Sequence, residues 1–275
     1  MPELPEVETV RAGLHAALAG ACISDVLLRR ADLRVAFPPN FAKALAGRTI
    51  LRAGRRAKYL LLHLDNEQVW VAHLGMSGRF SVEAKAPARW ATHDHMAAML
   101  ADGRVLIYND ARRFGLMALA SADALEAHPL FAHLGPEPLE AGFNARYLKQ
   151  ALARRSGLIK PVLMDQALVV GVGNIYASEA LFLAGIHPAT PAKNAASRAA
   201  TLVKCIRQVL GEAIASGGSS LRDFLHVSGE AGYFQHQFRV YGQAGKPCQR
   251  CKAPIAHMKQ AGRATFFCEK CQKNR

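Results

Sequence analysis

Residues 163–188 read LMDQALVVGVGNIYASEALFLAGIHP, an apolar stretch interrupted by the turn GVGN at 171–174. Apolar residues on both sides of this turn predict two helices, over 162–168 and 174–185, because the glycines allow the sharp change of direction between them. Asn174 opens the second helix, where unpaired backbone N–H groups favour an anion such as a phosphate. A dinucleotide site is excluded, since no G-x-G-x-x-G segment joins a strand to a helix.

The pattern on either side of this stretch predicts an α+β protein. Residues 144–155 and 195–216 also have helical patterns, whereas residues 23–109 form short β-rich runs. Residues 5–19 predict a leading helix with Val7, Val10, Leu14 and Leu18 on one face. We therefore predict an N-terminal β-sandwich domain with a leading helix (1–133), a helical domain (134–236) and a C-terminal zinc-ribbon hairpin (237–275).

Four cysteines near the C-terminus form two pairs, Cys248-x2-Cys251 and Cys268-x2-Cys271. Each pair turns two sulfurs toward one ion, and two such pairs on a hairpin complete a closed tetrahedral shell. The spacing predicts one structural Zn²⁺, because a closed shell leaves no position open for catalysis. The same hairpin carries Arg263 among several basic residues, a suitable arrangement for binding phosphates.

Composition narrows the choice of partner. The chain has 275 residues, with 35 Lys and Arg against 21 Asp and Glu, for a net charge of +14. This excess favours a polyanion, either a nucleic acid or an anionic membrane surface. The membrane is the weaker alternative because no uncharged apolar run reaches the ~18 residues of a spanning helix, and the N-terminus lacks a signal-peptide pattern. We expect a soluble cytoplasmic protein.

The N-terminal sequence MPELPEV offers an unusual nucleophile. Removal of Met1 would leave Pro2 with a free secondary amine, and an α-amino group with a pKa of about 8 is partly neutral at cytoplasmic pH. Attack of that amine on a sugar C1′ gives a cationic iminium, which is an electron sink for elimination. Glu3 could serve as the acid or base. Proline is common at position 2, so this argument is weak in isolation.

Six segments occur in order: MPELPEVETVRAGL at the N-terminus, HLGMSGRF (73–80), NDARRFG (109–115), HLGPEPL (133–139), residues 163–188 and the zinc ribbon. Over essentially the whole chain, this series resembles bacterial formamidopyrimidine-DNA glycosylase. The resemblance implies a bifunctional DNA glycosylase and DNA-(apurinic or apyrimidinic site) lyase that excises 8-oxoguanine and formamidopyrimidines from duplex DNA. It further implies a Schiff base on Pro2, β,δ-elimination, a helix–two-turn–helix element and a lesion-recognition loop within 217–241.

The resemblance also implies roles for individual residues. The catalytic residues would be Pro2, Glu3, Lys58 on a β-strand, and Arg263. The DNA-binding residues would be an intercalating trio of Met76, Arg112 and Phe114, together with His93, Arg154, Lys160 and Asn174. Glu6 matches a family carboxylate near the site, although its position equally suits a partner of the helix dipole. The resemblance implies a bacterial monomer at the nucleoid, without a nucleotide cofactor.

Two alternatives remain. The related endonuclease VIII favours oxidised pyrimidines, but MPELPEV, the intercalating trio and the recognition loop argue against it. A non-catalytic zinc-ribbon DNA-binding protein would fit the charge and the cysteines equally well. It would leave Pro2, Glu3 and Lys58 without a role, so substitution of these residues separates the two hypotheses.

Overall fold

The computed structural model describes residues 2–219 and 233–274, beginning with helix α1 (Leu4–Leu18). Pro5 lies in the first turn, where its missing N–H costs no helical hydrogen bond. The predicted apolar face is confirmed, because its members are at most 2% exposed: Val7, Val10, Leu14 and Leu18. Gly20 follows the helix in the left-handed region (φ +83°), so α1 lies within one residue of its predicted limits.

Eight antiparallel strands form the predicted sandwich as two four-stranded sheets, ordered β1-β6-β7-β5 and β2-β3-β4-β8. The strands are β1 (Ile23–Leu28), β2 (Ile50–Arg56), β3 (Tyr59–Leu64), β4 (Gln68–His73), β5 (Arg79–Glu83), β6 (Asp94–Leu100), β7 (Val105–Asn109) and β8 (Leu116–Ser121). A short helix, α2 (Phe41–Leu45), lies between β1 and β2. The sheets enclose an apolar core together with the buried face of α1.

A chain of aromatic contacts runs through this core. Phe41 packs edge-on against Trp70, Trp70 packs edge-on against Phe80, and Phe80 contacts Tyr108 at a tilt, with ring centroids 5.0–6.0 Å apart. All four side chains are at most 2% exposed. Tyr108 is the last residue of this series of ring contacts and lies near the C-terminus of β7, so the loop that follows this strand starts from a rigid part of the core.

The second half of the chain is helical, as predicted, and no helix of the described residues is long and apolar enough to span a membrane. Its helices are α3 (Ala145–Ala153), α4 (Ile159–Leu163), α5 (Asn174–Ala184), α6 (Ala192–Ala195) and α7 (Ala199–Ala215). The helix predicted over 162–168 is wrong, because α4 ends at Leu163. Asp165 instead forms a turn in which its side chain accepts the backbone N–H of Ala167 and its carbonyl accepts that of Leu168.

The zinc hairpin consists of β9 (Ala256–Gln260) and β10 (Arg263–Phe267). Ala261 and Gly262 between them both have positive φ, which is the pattern of a two-residue hairpin turn. The hairpin is too small to bury a core of its own, and its cysteines share an apolar cluster with Phe182 of α5. It therefore belongs to the helical part of the protein.

The chain divides into two units, one of residues 1–132 and 217–233 and the other of 133–216 and 234–275. The division into three consecutive domains (1–133, 134–236 and 237–275) stays a prediction. The hairpin joins the helices for the reason just given, and the segment from Gly217 returns to the sandwich because Ser219 bonds to Glu6 of α1.

Candidate active site and nucleic-acid interface

The N-terminus of α1 carries the predicted nucleophile and its acid. Pro2 is half-buried and Glu3, the residue before the helix, is 3% exposed. The Glu3 backbone N–H donates to Glu6 Oε2 (2.8 Å), which satisfies one of the unpaired donors at the helix start. Glu6 also reaches further, since its Oε1 accepts the backbone N–H (2.8 Å) and hydroxyl (2.9 Å) of Ser219. Glu6 therefore caps the helix and ties it to the segment that begins at Gly217.

Lys58 is not on a strand, contrary to the prediction. It lies with Ala57 in the two-residue turn between β2 and β3, and Ala57 has a positive φ of 54°. Lys58 is nevertheless only 7% exposed. The hydrophobic pattern of 48–64 predicted β-structure correctly, but the two turn positions, 57 and 58, hold neither Gly nor Asn to mark the turn.

An ion-pair relay connects this turn to α1. Glu8 of α1 accepts Arg55 Nε (2.8 Å), and Arg55 Nη1 donates to the carbonyl of Ala57 (2.9 Å). Arg11 holds the same Glu8 carboxylate through a second contact of 2.6 Å. Since Ala57 precedes Lys58, the relay fixes the lysine turn relative to the helix that begins after Glu3. Sequence analysis did not identify this relay, because the arginine cluster at 48–58 gives no sign of its partners.

His73 lies near the Lys58 turn and was not among the residues predicted from the sequence. It is the last residue of β4 and pairs with Tyr59, the first residue of β3, which directly follows Lys58. The Nδ1 of His73 accepts the backbone N–H of Gly75 (3.0 Å). Burial, with Lys58 and then Arg34 as lesser causes, lowers the pKa of His73 to about 4. The imidazole is therefore neutral at pH 7, and its other nitrogen carries the proton. The histidine of HLGM (73–76) was the available signal.

The three residues predicted to intercalate lie on two adjacent loops of the sandwich. Met76 is half-buried in the loop between β4 and β5, whereas Arg112 and Phe114 are exposed in the loop between β7 and β8. Phe114 is 46% exposed, and the Arg112 guanidinium lies 4.8 Å from the centre of its ring. A large exposed aromatic stacked with a cation is typical of a surface that meets nucleobases.

His93 is exposed in the loop before β6, as a phosphate contact would require. The loop is held by its neighbour Asp94, whose carboxylate accepts the backbone N–H of Ala91 (2.8 Å) and the amide of Asn109 (2.8 Å). Arg29 Nη1 donates to the carbonyl oxygens of Ala91 in this loop and of Asp94 at the start of β6. The His93 backbone is therefore well positioned.

In the helical unit, Lys160 connects Asn174 to the zinc hairpin. Its ammonium donates to Asn174 Oδ1 (2.5 Å), Thr265 Oγ1 (2.7 Å) and the carbonyl of Ala264 (3.3 Å). Lys160 is only 1% exposed. Asn174 is further fixed by donating to the Ala264 carbonyl (3.0 Å) and the Tyr241 hydroxyl (3.3 Å). The resemblance implied DNA contact by both residues, but the structure places the Lys160 ammonium against protein oxygens.

The turn before Asn174 has an internal support that the sequence analysis missed. Gln166 Oε1 accepts the backbone N–H of Gly171, and its amide donates to the carbonyl of Val172. Gly171 has a φ of +79°, so this position requires the freedom of glycine. The N-terminus of α5 is therefore held in a defined position, with Asn174 at its first residue.

The two remaining predicted cations are exposed. Arg263 is the first residue of β10, directly after the hairpin turn, and Arg154 follows the last residue of α3. Arg263 also lines a small pocket with Lys160, Met164, Asp165 and Gln260. Exposed cations on rigid elements are suited to phosphate contacts.

The four cysteines fit a zinc ion. The four Sγ atoms all lie within 4.8 Å of one another, with the Sγ atoms of Cys248 and Cys271 3.9 Å apart and those of Cys251 and Cys268 3.4 Å apart. Tetrahedral Zn²⁺ with Zn–S bonds of about 2.3 Å requires sulfurs about 3.8 Å apart. The four thiolates thus form the closed, structural Zn²⁺ site predicted from their spacing.

Exposed cations on both units suit a polyanion, and an acid beside a proline at the start of α1 suits chemistry on a sugar. Together with the sandwich, the helical unit and the zinc hairpin, these features are typical of a bifunctional DNA-repair glycosylase with a zinc finger. The family models agree along the chain: the formamidopyrimidine-DNA glycosylase N-terminal domain matches residues 1–117 and its H2TH domain 134–225. The zinc finger found in FPG and IleRS matches 245–274. The chain belongs to the formamidopyrimidine-DNA glycosylase family.

Individual relatives agree with this assignment. The formamidopyrimidine-DNA glycosylases of Azorhizobium caulinodans and Bartonella tribocorum are 50% and 47% identical to this chain, covering 99% of it and 100% of their own lengths. A Lactococcus lactis Fpg variant solved with Fapy-dG-containing DNA has a TM-score of 0.91 and 37% identity, over 99% of this chain and all of that one. The same enzyme with abasic-site DNA also has a TM-score of 0.91, with 36% identity over 98% of this chain and 99% of that one. The predicted family, fold and enzyme class are thereby confirmed.

Proposed function

We propose that this enzyme excises 8-oxoguanine and formamidopyrimidines from duplex DNA and then cleaves the strand, with Pro2 as its nucleophile. The observation that carries the proposal is the arrangement of Pro2 and buried Glu3 at the start of α1, where Glu6 holds the Glu3 backbone. Removal of Met1 leaves Pro2 as a free secondary amine, and an α-amino group is partly neutral and nucleophilic near pH 7.

The chemistry requires four bonds between carbon and a heteroatom to break: those to the base, to O4′, and to the 3′ and 5′ phosphates. The Pro2 nitrogen forms a bond to C1′ as the bond to the damaged base breaks, and the base leaves with a proton. Glu3 protonates O4′ as the sugar ring opens, which yields the iminium. Loss of a C2′ proton then expels the 3′ phosphate by β-elimination, and loss of a C4′ proton expels the 5′ phosphate by δ-elimination.

Lys58 and Arg263 would act on the phosphates that leave. We assign Lys58 to proton donation and phosphate contact during β-elimination, with the neutral N–H of His73 as a neighbouring donor. Burial strengthens the interaction of the Lys58 ammonium with a developing negative charge. Arg263 would hold the phosphates around the lesion and assist δ-elimination, which its exposed position directly after the hairpin turn permits.

Extrusion of the damaged nucleotide leaves a hole in the base stack, and filling it is the role we assign to Met76, Arg112 and Phe114. Phe114 is exposed enough to enter a base step, and Arg112 can donate to the edge of the unpaired cytosine. This contact would favour lesions opposite cytosine.

Contacts to the DNA backbone would come from His93, Arg154 and Asn174, each of which lies on a loop or helix end that its neighbours hold in place. Lys160 would act on DNA indirectly, by holding Asn174 to β10. Bound Zn²⁺ keeps the hairpin folded, so that Arg263 is presented on a rigid element.

The substrate class is supported by the solved relatives, whose complexes contain Fapy-dG and abasic-site DNA. The recognition loop within 217–241 would read the oxidised purine, although residues 220–232 lie outside the described residues. A further Lactococcus lactis Fpg complex contains DNA with an oxidised pyrimidine, so pyrimidine lesions belong in the test as a second substrate. We propose that the enzyme acts as a monomer on the bacterial chromosome, in the cytoplasm.

Borohydride trapping on a cytosine-paired 8-oxoguanine duplex tests the nucleophile. Reduction converts a Schiff base into a stable bond, and peptide mapping should locate the adduct on Pro2. An adduct on a lysine would contradict the proposed nucleophile. Absence of any adduct on purine or pyrimidine lesions, with tight DNA binding, would favour the non-catalytic zinc protein.

Glu3→Gln tests the proton transfers in the same assay. We expect loss of strand cleavage with DNA affinity retained, because the amide can neither donate nor accept the required proton. Glu83→Gln is the matched control, since it makes the same charge change at an exposed position at the end of β5 and should cleave like the unaltered enzyme. Full cleavage by Glu3→Gln would exclude Glu3 as the acid.

A further inference from the structure

Asp110 is fully buried at the end of β7 and connects the two loops that carry the proposed intercalating residues. Its Oδ1 accepts the Ser77 hydroxyl (2.6 Å), and its Oδ2 accepts the backbone N–H of Gly115 (2.8 Å) and the Tyr108 hydroxyl (3.3 Å). Its carbonyl accepts the backbone N–H of Arg113 (3.2 Å). One carboxylate thus organises both loops and anchors them to the aromatic core.

Ser77 completes the connection between the loops. Its hydroxyl donates to Asp110 and accepts the backbone N–H of Arg112 (3.0 Å). Ser77 directly follows Met76, so this hydroxyl relates the Met76 loop to the backbone of Arg112 itself. Neither residue belongs to the predicted set, because the serine and the acid are 33 positions apart.

The backbones of the two loops also meet directly. A Cβ on Gly75 would lie 2.3 Å from the Phe114 carbonyl carbon, and Gly75 has a φ of +63°. A Cβ on Gly115 would lie 1.8 Å from the Tyr108 hydroxyl oxygen. Glycine is required at both positions, so the close approach is built into the sequence of both loops.

A buried carboxylate is a costly way to join two loops, since apolar packing of similar volume is often at least as stable. Directional hydrogen bonds fix the relative position of two backbones, which apolar packing does not. Side chains that enter one base step need such a fixed spacing, because insertion must offset the free energy of unstacking.

We propose that Ser77 and Asp110 are positioning residues that hold the Met76 loop and the Arg112–Phe114 loop as one rigid wedge for insertion into the base stack. The inference rests on the proposed function, because it assumes that these loops enter damaged DNA. Ser77 and Asp110 act through Met76, Arg112 and Phe114 and need not touch the DNA themselves.

Ser77→Ala tests the proposal by removing the shared hydroxyl with little change in volume. Its rate should fall about tenfold on an 8-oxoguanine–cytosine duplex, consistent with loss of one buried hydrogen-bonding group. Borohydride trapping on a single-stranded abasic oligonucleotide should remain at the rate of the unaltered enzyme, because a single strand has no paired stack to fill. The rise in fluorescence of a 2-aminopurine beside the lesion should slow in parallel with the duplex reaction.

Three further comparisons sharpen the test. Ser81→Ala makes the same change on neighbouring strand β5, where no side-chain hydrogen bond of Ser81 is present among the described residues, and should match the unaltered enzyme on both substrates. Ser77→Thr keeps the hydroxyl and should restore most of the duplex rate. Ser77→Ala should also add little to the defect of Arg112→Ala, because both act on the same wedge.

Three results would overturn the inference. An unchanged duplex rate in Ser77→Ala would show that the hydroxyl positions nothing needed for insertion. An equal loss on duplex and single strand would show general destabilisation. Failure of the unaltered enzyme to form a Pro2 adduct on either substrate would instead remove the proposed function, and the positioning role with it.

Discussion

Lys160→Met separates a residue that binds DNA from one that positions a DNA-binding residue. Methionine is close to lysine in length, but it cannot donate to Asn174, Thr265 or the Ala264 carbonyl. Two of the lost bonds are short and charge-assisted, each worth about 1.5–3 kcal/mol, while removal of a buried charge offsets part of the loss. We expect the free energy of unfolding to fall by about 2–3 kcal/mol, and Tm by roughly 4–12 °C.

The effect on DNA binding distinguishes the two roles. A lysine that contacts a phosphate releases a counterion, so its loss lowers the slope of log K against log salt by about 0.9. The Lys160 ammonium is buried against protein oxygens, so Lys160→Met should weaken binding through a displaced Asn174 while the slope stays unchanged. Arg263→Ala, which removes an exposed cation, should lower the slope by about one unit.

The assay is fluorescence anisotropy of a duplex containing a stable abasic analogue, between about 50 and 200 mM salt, with Tm measured in parallel. Lys149→Met, on the exposed surface of α3, makes the same change in net charge and should leave Tm unaltered. A lower slope with an unchanged Tm in Lys160→Met would refute the reasoning, because it would identify Lys160 as a direct phosphate ligand.

Three further predictions concern other parts of the site. The pKa of His73 is lowered to about 4 by burial, whereas a histidine in the unfolded chain titrates near 6.5. Between these pH values the unfolded state therefore binds more protons than the folded state. The free energy of unfolding should fall by at most about 3 kcal/mol as pH drops through that window. Urea unfolding of His73→Gln should show a flatter dependence from pH 6.5 to 4, and an unchanged profile would contradict the assignment. Zinc chelation or Cys251→Ser should increase hydrogen exchange in β9 and β10 and abolish DNA binding; activity that survives complete zinc removal would exclude the scaffold role. Arg55→Met should slow β-elimination more than it weakens DNA binding, because it releases the Lys58 turn from Glu8; single-turnover rates on a preformed abasic site measure this, and an equal loss in both would indicate a purely electrostatic contribution to binding.

Several elements could be predicted because their determinants lie close together in the chain. The buried face of α1 follows from apolar residues at helical spacing, and the zinc site follows from two CxxC pairs. The turn at Lys58 and the end of α4 could not be predicted in this way. Ala57 adopts a positive φ that alanine rarely takes, and Asp165 ends the helical pattern through a side-chain hydrogen bond that competes with helix.

The sequence alone established the family and the order of sandwich, helices and zinc hairpin, and it predicted roles for Pro2, Glu3 and the exposed cations. Only the tertiary structure showed that Lys160 is buried against Asn174, that His73 lies across from Tyr59, and that Asp110 joins two loops. The physical reason is the separation along the sequence between the residues that interact. Helical periodicity and metal-ligand spacing are local properties, whereas the partner of a buried polar group is decided by strand register and packing between residues far apart in the chain.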